Sequence, residues 1–258
     1  MTPHELAAQQ LRNAYENGVP IAPLRAVVAP TDSDGAYQIQ AINTEIWQQS
    51  GRRVVGHKIG LTSVAVQRQL GVDQPDFGVL FDDMQLINGG VLNASETLQP
   101  KVEAEVALVL GSDLFNPKCR PEDIAASTEC AVAAIEVVDS RVKDWQITFA
   151  DTVADNGSSA FFVLGEQRQA LAGLDLLNCR MSLEVNGERS STGSGEACLG
   201  NPLNAAAWLV RTLSTRGEIL AAGEILLTGA LGPMVSINPG DQVRANIDGL
   251  GDTSFVFQ

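Results

Sequence analysis

The sequence has few histidines and lysines and no paired cysteines. Only two histidines, His4 and His57, occur in 258 residues, which excludes a histidine-based metal site and leaves one imidazole for any catalytic triad. The four cysteines lie far apart without a Cys-x-x-Cys pair, so zinc sites and disulfide frameworks are poorly supported. Carboxylates and lysine are left to carry the chemistry.

Positive charge and long apolar runs are also lacking. Seventeen Lys and Arg residues face 31 Asp and Glu residues, giving a formal net charge of −14, which argues against nucleic acid and anionic membranes as partners. No apolar run is long enough to cross a bilayer, and the N-terminus lacks a basic and then apolar signal pattern. We expect a soluble, cytoplasmic protein.

Hydrophobic residues, counting the aromatic ones, make up 45% of the chain, which suffices for a sizeable core. A capping box from Thr2 to Glu5 predicts a helix ending near Gly18, and a second helix is predicted over 36–49. Strand patterns dominate after residue 53, without a helix after every strand, which favours a mixed, partly closed β-architecture. We predict an α+β fold with an N-terminal helical region, 1–60, and a β-rich catalytic domain, 61–258, together forming one compact unit.

The most informative residues are two glutamates in the apolar run from Lys101 to Leu110. Residues i and i+2 of a strand share a face, so Glu103 and Glu105 are expected to lie side by side. Glu136 interrupts another apolar strand. Buried together, such carboxylates need a cation, and three oxygen ligands suit Mg²⁺ or Mn²⁺. The alternative is an edge strand whose glutamates face solvent.

One lysine and one aspartate are further candidates for chemistry. Lys58 lies inside a predicted strand between Gly56 and Gly60, which would let a ligand approach the backbone; alternatively its ammonium reaches solvent. Asp76, in a predicted loop, is either a turn residue or an acid/base group. His57 is expected on the opposite side of the strand from Lys58, in a structural role.

Two segments offer weaker signals. Asp155 to Ser159 provides short polar donors before a strand but is equally consistent with a plain turn. Thr228 and Gly229 close a strand and can present a hydroxyl and an amide to a ligand carboxylate.

Taken together, these motifs resemble the 2-keto-4-pentenoate hydratase family within the fumarylacetoacetate hydrolase superfamily. The resemblance runs from the N-terminal helices to the last strand and is carried by an ordered set of segments: 56–62, 74–78, 103–105, 136–138 with 140–141, 153–156 and 227–233. It implies a mixed β-roll core and Mg²⁺ or Mn²⁺ bound by Glu103, Glu105 and Glu136. His57 stands where many relatives carry arginine, so no role is carried over to it from the family.

The resemblance also implies a reaction. The expected enzyme adds water to 2-hydroxypenta-2,4-dienoate, through a metal-chelated 2-oxo-3-enoate, to give 4-hydroxy-2-oxopentanoate in the meta-cleavage degradation of aromatic compounds. Lys58 would bind the substrate carboxylate, and Asp76 would be the acid/base that orients water. Thr62, Ser158 and Thr228 would be further substrate contacts.

Alternatives stay open at this point. The related 4-oxalocrotonate decarboxylase shares the metal site and lysine, but the aspartate at Asp76 is not expected in that branch. A C–C hydrolase of acylpyruvates is a more distant possibility, and a non-catalytic partner subunit is a third. The resemblance implies a homo-oligomer, which either works alone or associates with a pathway decarboxylase or aldehyde dehydrogenase.

Overall fold

The computed structural model describes all 258 residues. They form six α-helices and thirteen β-strands. The helices are α1 (Pro3–Asn17), α2 (Ser33–Gln49), α3 (Val64–Gln69), α4 (Pro121–Ser127), α5 (Phe149–Ala154) and α6 (Pro202–Thr215). The strands are β1 (Val54–Gly60), β2 (Asp76–Phe81), β3 (Gln85–Leu86), β4 (Val91–Leu92), β5 (Lys101–Leu110), β6 (Thr128–Val138), β7 (Ser159–Leu164), β8 (Arg180–Val185), β9 (Glu188–Ser194), β10 (Ile225–Ala230), β11 (Val235–Ser236), β12 (Gln242–Ile247) and β13 (Gly251–Phe257).

The N-terminal helices begin and end where their capping residues require. The Thr2 hydroxyl accepts a hydrogen bond from the Glu5 amide, the Glu5 carboxylate accepts one from the Thr2 amide, and Gly18 ends α1 in the left-handed conformation. Asp32 caps α2 by accepting from the Gly35 amide. No helix of the structure is both long and apolar enough to cross a membrane.

An eight-stranded mixed sheet carries most of the candidate residues. Its order is β2-β1-β10-β5-β6-β7-β3, with β11 also paired to β5. Strands β5 and β6 lie at its centre, so the expectation that Glu103 and Glu105 sit on an internal strand is confirmed and the exposed-edge alternative is wrong. The sheet begins at one edge with β2, whose first residue is Asp76, where the sequence suggested a loop.

A second sheet completes the β-architecture. Its order is β4-β13-β12-β8-β9, and β12 and β13 pack against β6. The main apolar core lies between the two sheets and beneath the helices, with Val106, Ile135, Val243 and Phe255 among its fully buried members. The α+β class, with N-terminal helices followed by a mixed, partly closed β-architecture, is confirmed.

The division into 1–60 and 61–258 stays a prediction. Its boundary groups β1 with the N-terminal helices, although β1 pairs with β2 on one side and β10 on the other. Lys58 is thus held by the main sheet.

Candidate active site

Three glutamates meet on one face of the main sheet because of its register. Glu103 and Glu105 are two residues apart on β5 and therefore share a face, and Glu103 pairs directly with Glu136 of antiparallel β6. Glu105 and Glu136 are fully buried and Glu103 is half-buried. Carboxylate oxygens of the three residues lie within 4.8 Å of one another. This is the cluster that the sequence predicted.

The hydrogen bonding of this cluster is incomplete. Glu105 Oε2 accepts from the Gly229 amide at 2.7 Å, but Glu105 Oε1 and both Glu136 oxygens accept no hydrogen bond. Glu136 Oε2 has only an ion-pair contact with the Lys58 ammonium. Burial, together with the neighbouring Glu136, raises the pKa of Glu103 to about 7, and the same two causes raise the pKa of Glu105 well above its ordinary value. A hard divalent cation would be coordinated by the oxygens that lack hydrogen bonds and would relieve the repulsion between the carboxylates, so these residues fit such an ion.

Lys58 places a buried ammonium beside these carboxylates. Lys58 aligns with Leu227 of β10, which aligns with Ala107 of β5, so the lysine shares the face of Glu105. Its Nζ atom lies 3.3 Å from Glu136 Oε2 and donates to the Gly157 carbonyl at 2.9 Å. Burial opposes its charge, but the carboxylates of Glu136 and Asp76 outweigh burial and raise the Lys58 pKa. The solvent-reaching alternative is wrong, because Lys58 is only 3% exposed.

Asp76 joins the group from the adjacent strand. It pairs with Gly60 of β1, and a Cβ atom on Gly60 would lie 2.1 Å from Asp76 Oδ1 and 3.2 Å from Lys58 Nζ. Glycine therefore makes room for these two side chains. At Gly56 the space expected for a ligand is taken by the Ile225 carbonyl of β10. Asp76 Oδ1 is buried without a hydrogen bond, and burial raises the Asp76 pKa, with Lys58 opposing.

The three proposed substrate contacts differ in how free their hydroxyls are. Thr62 is buried against Gly229, and a Cβ atom on Gly229 would lie 2.5 Å from Thr62 Oγ1. The Ser158 hydroxyl bonds to that of Thr152 at 3.2 Å. The Thr228 hydroxyl donates to the Val106 carbonyl at 2.9 Å. Their roles stay predictions.

Two backbone groups of the site differ from what the sequence suggested. The Gly229 amide, expected to face a ligand carboxylate, binds the Glu105 carboxylate instead, and the Gly157 carbonyl, which the sequence marked only as part of a turn, binds Lys58. Backbone groups are common to all residues, so only the fold reveals which of them face a site.

His57 lies on the other face of β1. Its Nδ1 atom is 3.5 Å from Glu224 Oε2, and its ring packs edge-on against Phe77. These contacts are compatible with the structural role expected for His57.

Comparisons with known proteins show the family to which the chain belongs. The family model for the C-terminal part of fumarylacetoacetate hydrolase matches residues 59–257. The chain is 53% identical to 2-keto-4-pentenoate hydratase 1 of Dechloromonas aromatica, covering 98% of this chain and 96% of the relative. It is 51% identical to 2-keto-4-pentenoate hydratase of Paraburkholderia xenovorans, covering 100% and 97%. The chain therefore belongs to the 2-keto-4-pentenoate hydratase family, within the fumarylacetoacetate hydrolase superfamily.

A solved structure supports the fold over the whole length. It is 4-oxalocrotonate decarboxylase from Pseudomonas putida G7, complexed with magnesium and adipate, with a TM-score of 0.95 and 33% identity. The alignment covers 100% of this chain and 99% of that one. The hydratase names of the relatives and the matched family domain support an enzyme of the hydro-lyase class.

Proposed function

We propose that this enzyme adds water to 2-hydroxypenta-2,4-dienoate and forms 4-hydroxy-2-oxopentanoate in the meta-cleavage degradation of aromatic compounds. The observation that carries the proposal is the buried group of three glutamates beside a lysine and an aspartate. The hydratase names of relatives that share about half of the sequence support the same reaction.

Glu103, Glu105 and Glu136 would hold Mg²⁺ or Mn²⁺. Their oxygens are the ligands that these hard ions prefer, and the ion would act as a Lewis acid toward the 2-oxo acid group of the substrate. The related decarboxylase structure contains magnesium. In this chain the Gly229 amide would fix the orientation of Glu105, because it already binds one oxygen and leaves the other available.

Lys58 would bind the substrate carboxylate and balance the negative charge that develops on the C2 oxygen. Its ammonium is suited to this because it has one hydrogen bond, to a carbonyl, and only one carboxylate within ion-pair distance, that of Glu136. Burial strengthens such an interaction, since little water competes for the anion.

Asp76 would orient and deprotonate the water that attacks C4. Ketonisation moves the C2 hydroxyl proton to solvent or a base while C5 takes up a proton, which leaves C4 electrophilic. Addition then delivers hydroxide to C4 and a proton to C3. A carboxylate whose pKa is raised by burial is suited to accept the water proton. Thr62, Ser158 and Thr228 would be further contacts of the substrate.

Decarboxylation is the second candidate because of the structural match to 4-oxalocrotonate decarboxylase. The presence of Asp76 and the higher identity to hydratases favour hydration.

The test is to incubate purified protein with freshly generated dienol, with and without Mg²⁺ or Mn²⁺, and to follow loss of the ultraviolet absorbance of the dienol. We expect metal-dependent loss with formation of 4-hydroxy-2-oxopentanoate. Carbon dioxide release from 4-oxalocrotonate without dienol hydration would overturn the assignment.

We further propose that the enzyme is a cytoplasmic homo-oligomer, as the family resemblance implies. Light scattering on the purified chain would test the assembly. Co-purification with the pathway decarboxylase or aldehyde dehydrogenase would test the association with a partner enzyme.

A further inference from the structure

The strand that carries Asp76 has one free edge, and side chains close it. β2 pairs only with β1 and ends the main sheet. Such an edge presents unpaired backbone groups. Here the Phe77 amide donates to the Tyr37 hydroxyl at 3.2 Å, and the Phe77 carbonyl accepts from Gln40 Nε2 at 2.9 Å. Helix α2 thus replaces part of a missing neighbouring strand.

Asn156 closes the next part of that edge. Its Oδ1 accepts from the Val79 amide at 2.7 Å, and its Nδ2 donates to the Val79 carbonyl at 2.9 Å. The side-chain amide therefore pairs with β2 as a backbone peptide would. Asn156 is 4% exposed. Its backbone carbonyl lies close to Gly78, because a Cβ atom on Gly78 would be only 2.2 Å from the Asn156 carbonyl oxygen.

The same turn also holds Lys58. Asn156, Gly157 and Ser158 all have left-handed backbone conformations, with φ values of 56°, 62° and 53°. Such conformations are costly for asparagine and serine and persist only when the surroundings enforce them. This geometry aims the Gly157 carbonyl at Lys58 Nζ, 2.9 Å away.

Contacts on the far side of the turn enforce this conformation. Arg141 binds the Asp155 carboxylate through Nε at 2.6 Å and the Asp155 carbonyl through a terminal nitrogen at 2.7 Å. The Ser158 carbonyl accepts from the Asp139 amide at 2.7 Å. The turn is therefore fixed from behind while its front contacts β2 and Lys58.

We infer that Asn156 is a positioning residue that sets Asp76 and Lys58 at a fixed separation by joining the edge of β2 to the turn that binds the lysine. Its side-chain amide bonds to the Val79 backbone, so it acts on the site through β2. Since its side chain anchors β2 directly, its removal affects Asp76 more than Lys58. The inference rests on the proposed hydratase function.

The test uses Asn156→Gly, because glycine adopts the left-handed conformation without strain while removing the amide. Proton NMR in deuterium oxide reports C5 deuterium incorporation, which marks ketonisation, and C4 hydroxylation, which marks water addition. We expect the ratio of addition to exchange to fall by roughly 10-fold, since small displacements of catalytic groups cost rates of this order. Inactive or unfolded molecules lower both rates equally and leave the ratio unchanged.

Two further variants complete the design. Asn156→Asp keeps the acceptor for the Val79 amide and loses the donor, so an intermediate ratio is expected, and this variant carries the test if Asn156→Gly does not fold. Asn88→Gly is the matched control, because Asn88 Oδ1 likewise accepts from a strand amide, that of Ser254, but in the second sheet. Its ratio should equal that of the wild type.

The outcomes separate the inference from the function on which it rests. A wild-type enzyme that neither exchanges nor hydrates the dienol would overturn the proposed function. An active wild type with an unchanged ratio in both Asn156 variants would overturn the positioning role alone.

Discussion

Two buried charged groups of the protein, one around Arg141 and one around Lys58, differ in how completely they are hydrogen-bonded. Around Arg141 both Asp155 oxygens accept hydrogen bonds, and the guanidinium also donates to the carbonyls of Asp139, Asp155 and Ser159. Around Lys58 one ammonium faces several carboxylates, and Asp76, Glu105 and Glu136 all retain oxygens without donors. The group around Arg141 has its hydrogen bonds complete, whereas the carboxylate oxygens without donors around Lys58 are available to a ligand.

The largest expected effect is on the stability of the satisfied group. Arg141→Met should lower the free energy of unfolding by about 3–5 kcal/mol, because it leaves the Asp155 carboxylate buried and unpaired. Denaturant unfolding measures this, and Arg141→Met combined with Asp155→Leu should recover part of the loss. A loss below about 1 kcal/mol would place this pair with ordinary surface ion pairs and remove the contrast.

Lys58 should behave in the opposite way, affecting activity more than stability. In the presence of Mg²⁺, Lys58→Met should keep the thermal midpoint near that of the wild type and reduce kcat/KM by a factor of about 10² or more, the scale of lost electrostatic stabilisation. Steady-state kinetics and thermal melts test this, with exposed Lys118→Met as the control. A variant that unfolds and regains full activity once stabilised would make Lys58 structural.

Asp76 sharpens the comparison within the unsatisfied group. Asp76→Asn should still exchange the C5 protons of the substrate in deuterium oxide but add water at C4 about 10²-fold more slowly, as for loss of a general base. Proton NMR follows both events in one sample. Equal loss of both would mean that Asp76 organises the whole site, and loss of neither would return it to a structural role.

The smallest expected effect is a pH dependence of the metal-free protein. The Glu103 pKa rises from 4.5 to about 7 on folding, because of burial and then Glu136. The folded state therefore binds a proton more tightly than the unfolded state, so this contribution to stability is full below about 4.5 and is lost as the pH rises through about 7. The thermal midpoint should decrease as the pH is raised from 6 to 8, and Mg²⁺ should raise the midpoint more at pH 8 than at pH 6. A metal-induced rise that is larger at pH 6 would contradict this.

The sequence predicted the parts of the site that follow from strand periodicity. Glu103 and Glu105 share a face because of their i, i+2 spacing, and Glu136 stood out as a lone charge in an apolar strand. The capping box from Thr2 to Glu5 likewise located the first helix. These features are local, so one sequence suffices to find them.

The parts that it missed depend on distant contacts. Asp76 reads as a loop residue because Pro75 and Gly78 flank it, yet Gly78 is required where the Asn156 carbonyl approaches the strand. Asn156 reads as a turn residue, but its side chain completes the edge of a strand 77 residues away. Periodicity carries no information about such contacts, and only tertiary structure brings them together.

Divalent-ion binding tests the central claim most directly, because it asks whether the unmet glutamate oxygens form a metal site. Calorimetric titration of Mn²⁺ into the metal-free protein should give one ion per chain. Glu105→Gln should weaken binding at least about 10-fold, the minimum seen even for outer partners of metal ligands, while Glu129→Gln, an exposed control on the same sheet, leaves it unchanged. No binding by the wild type, or equal binding by Glu105→Gln, would contradict the account.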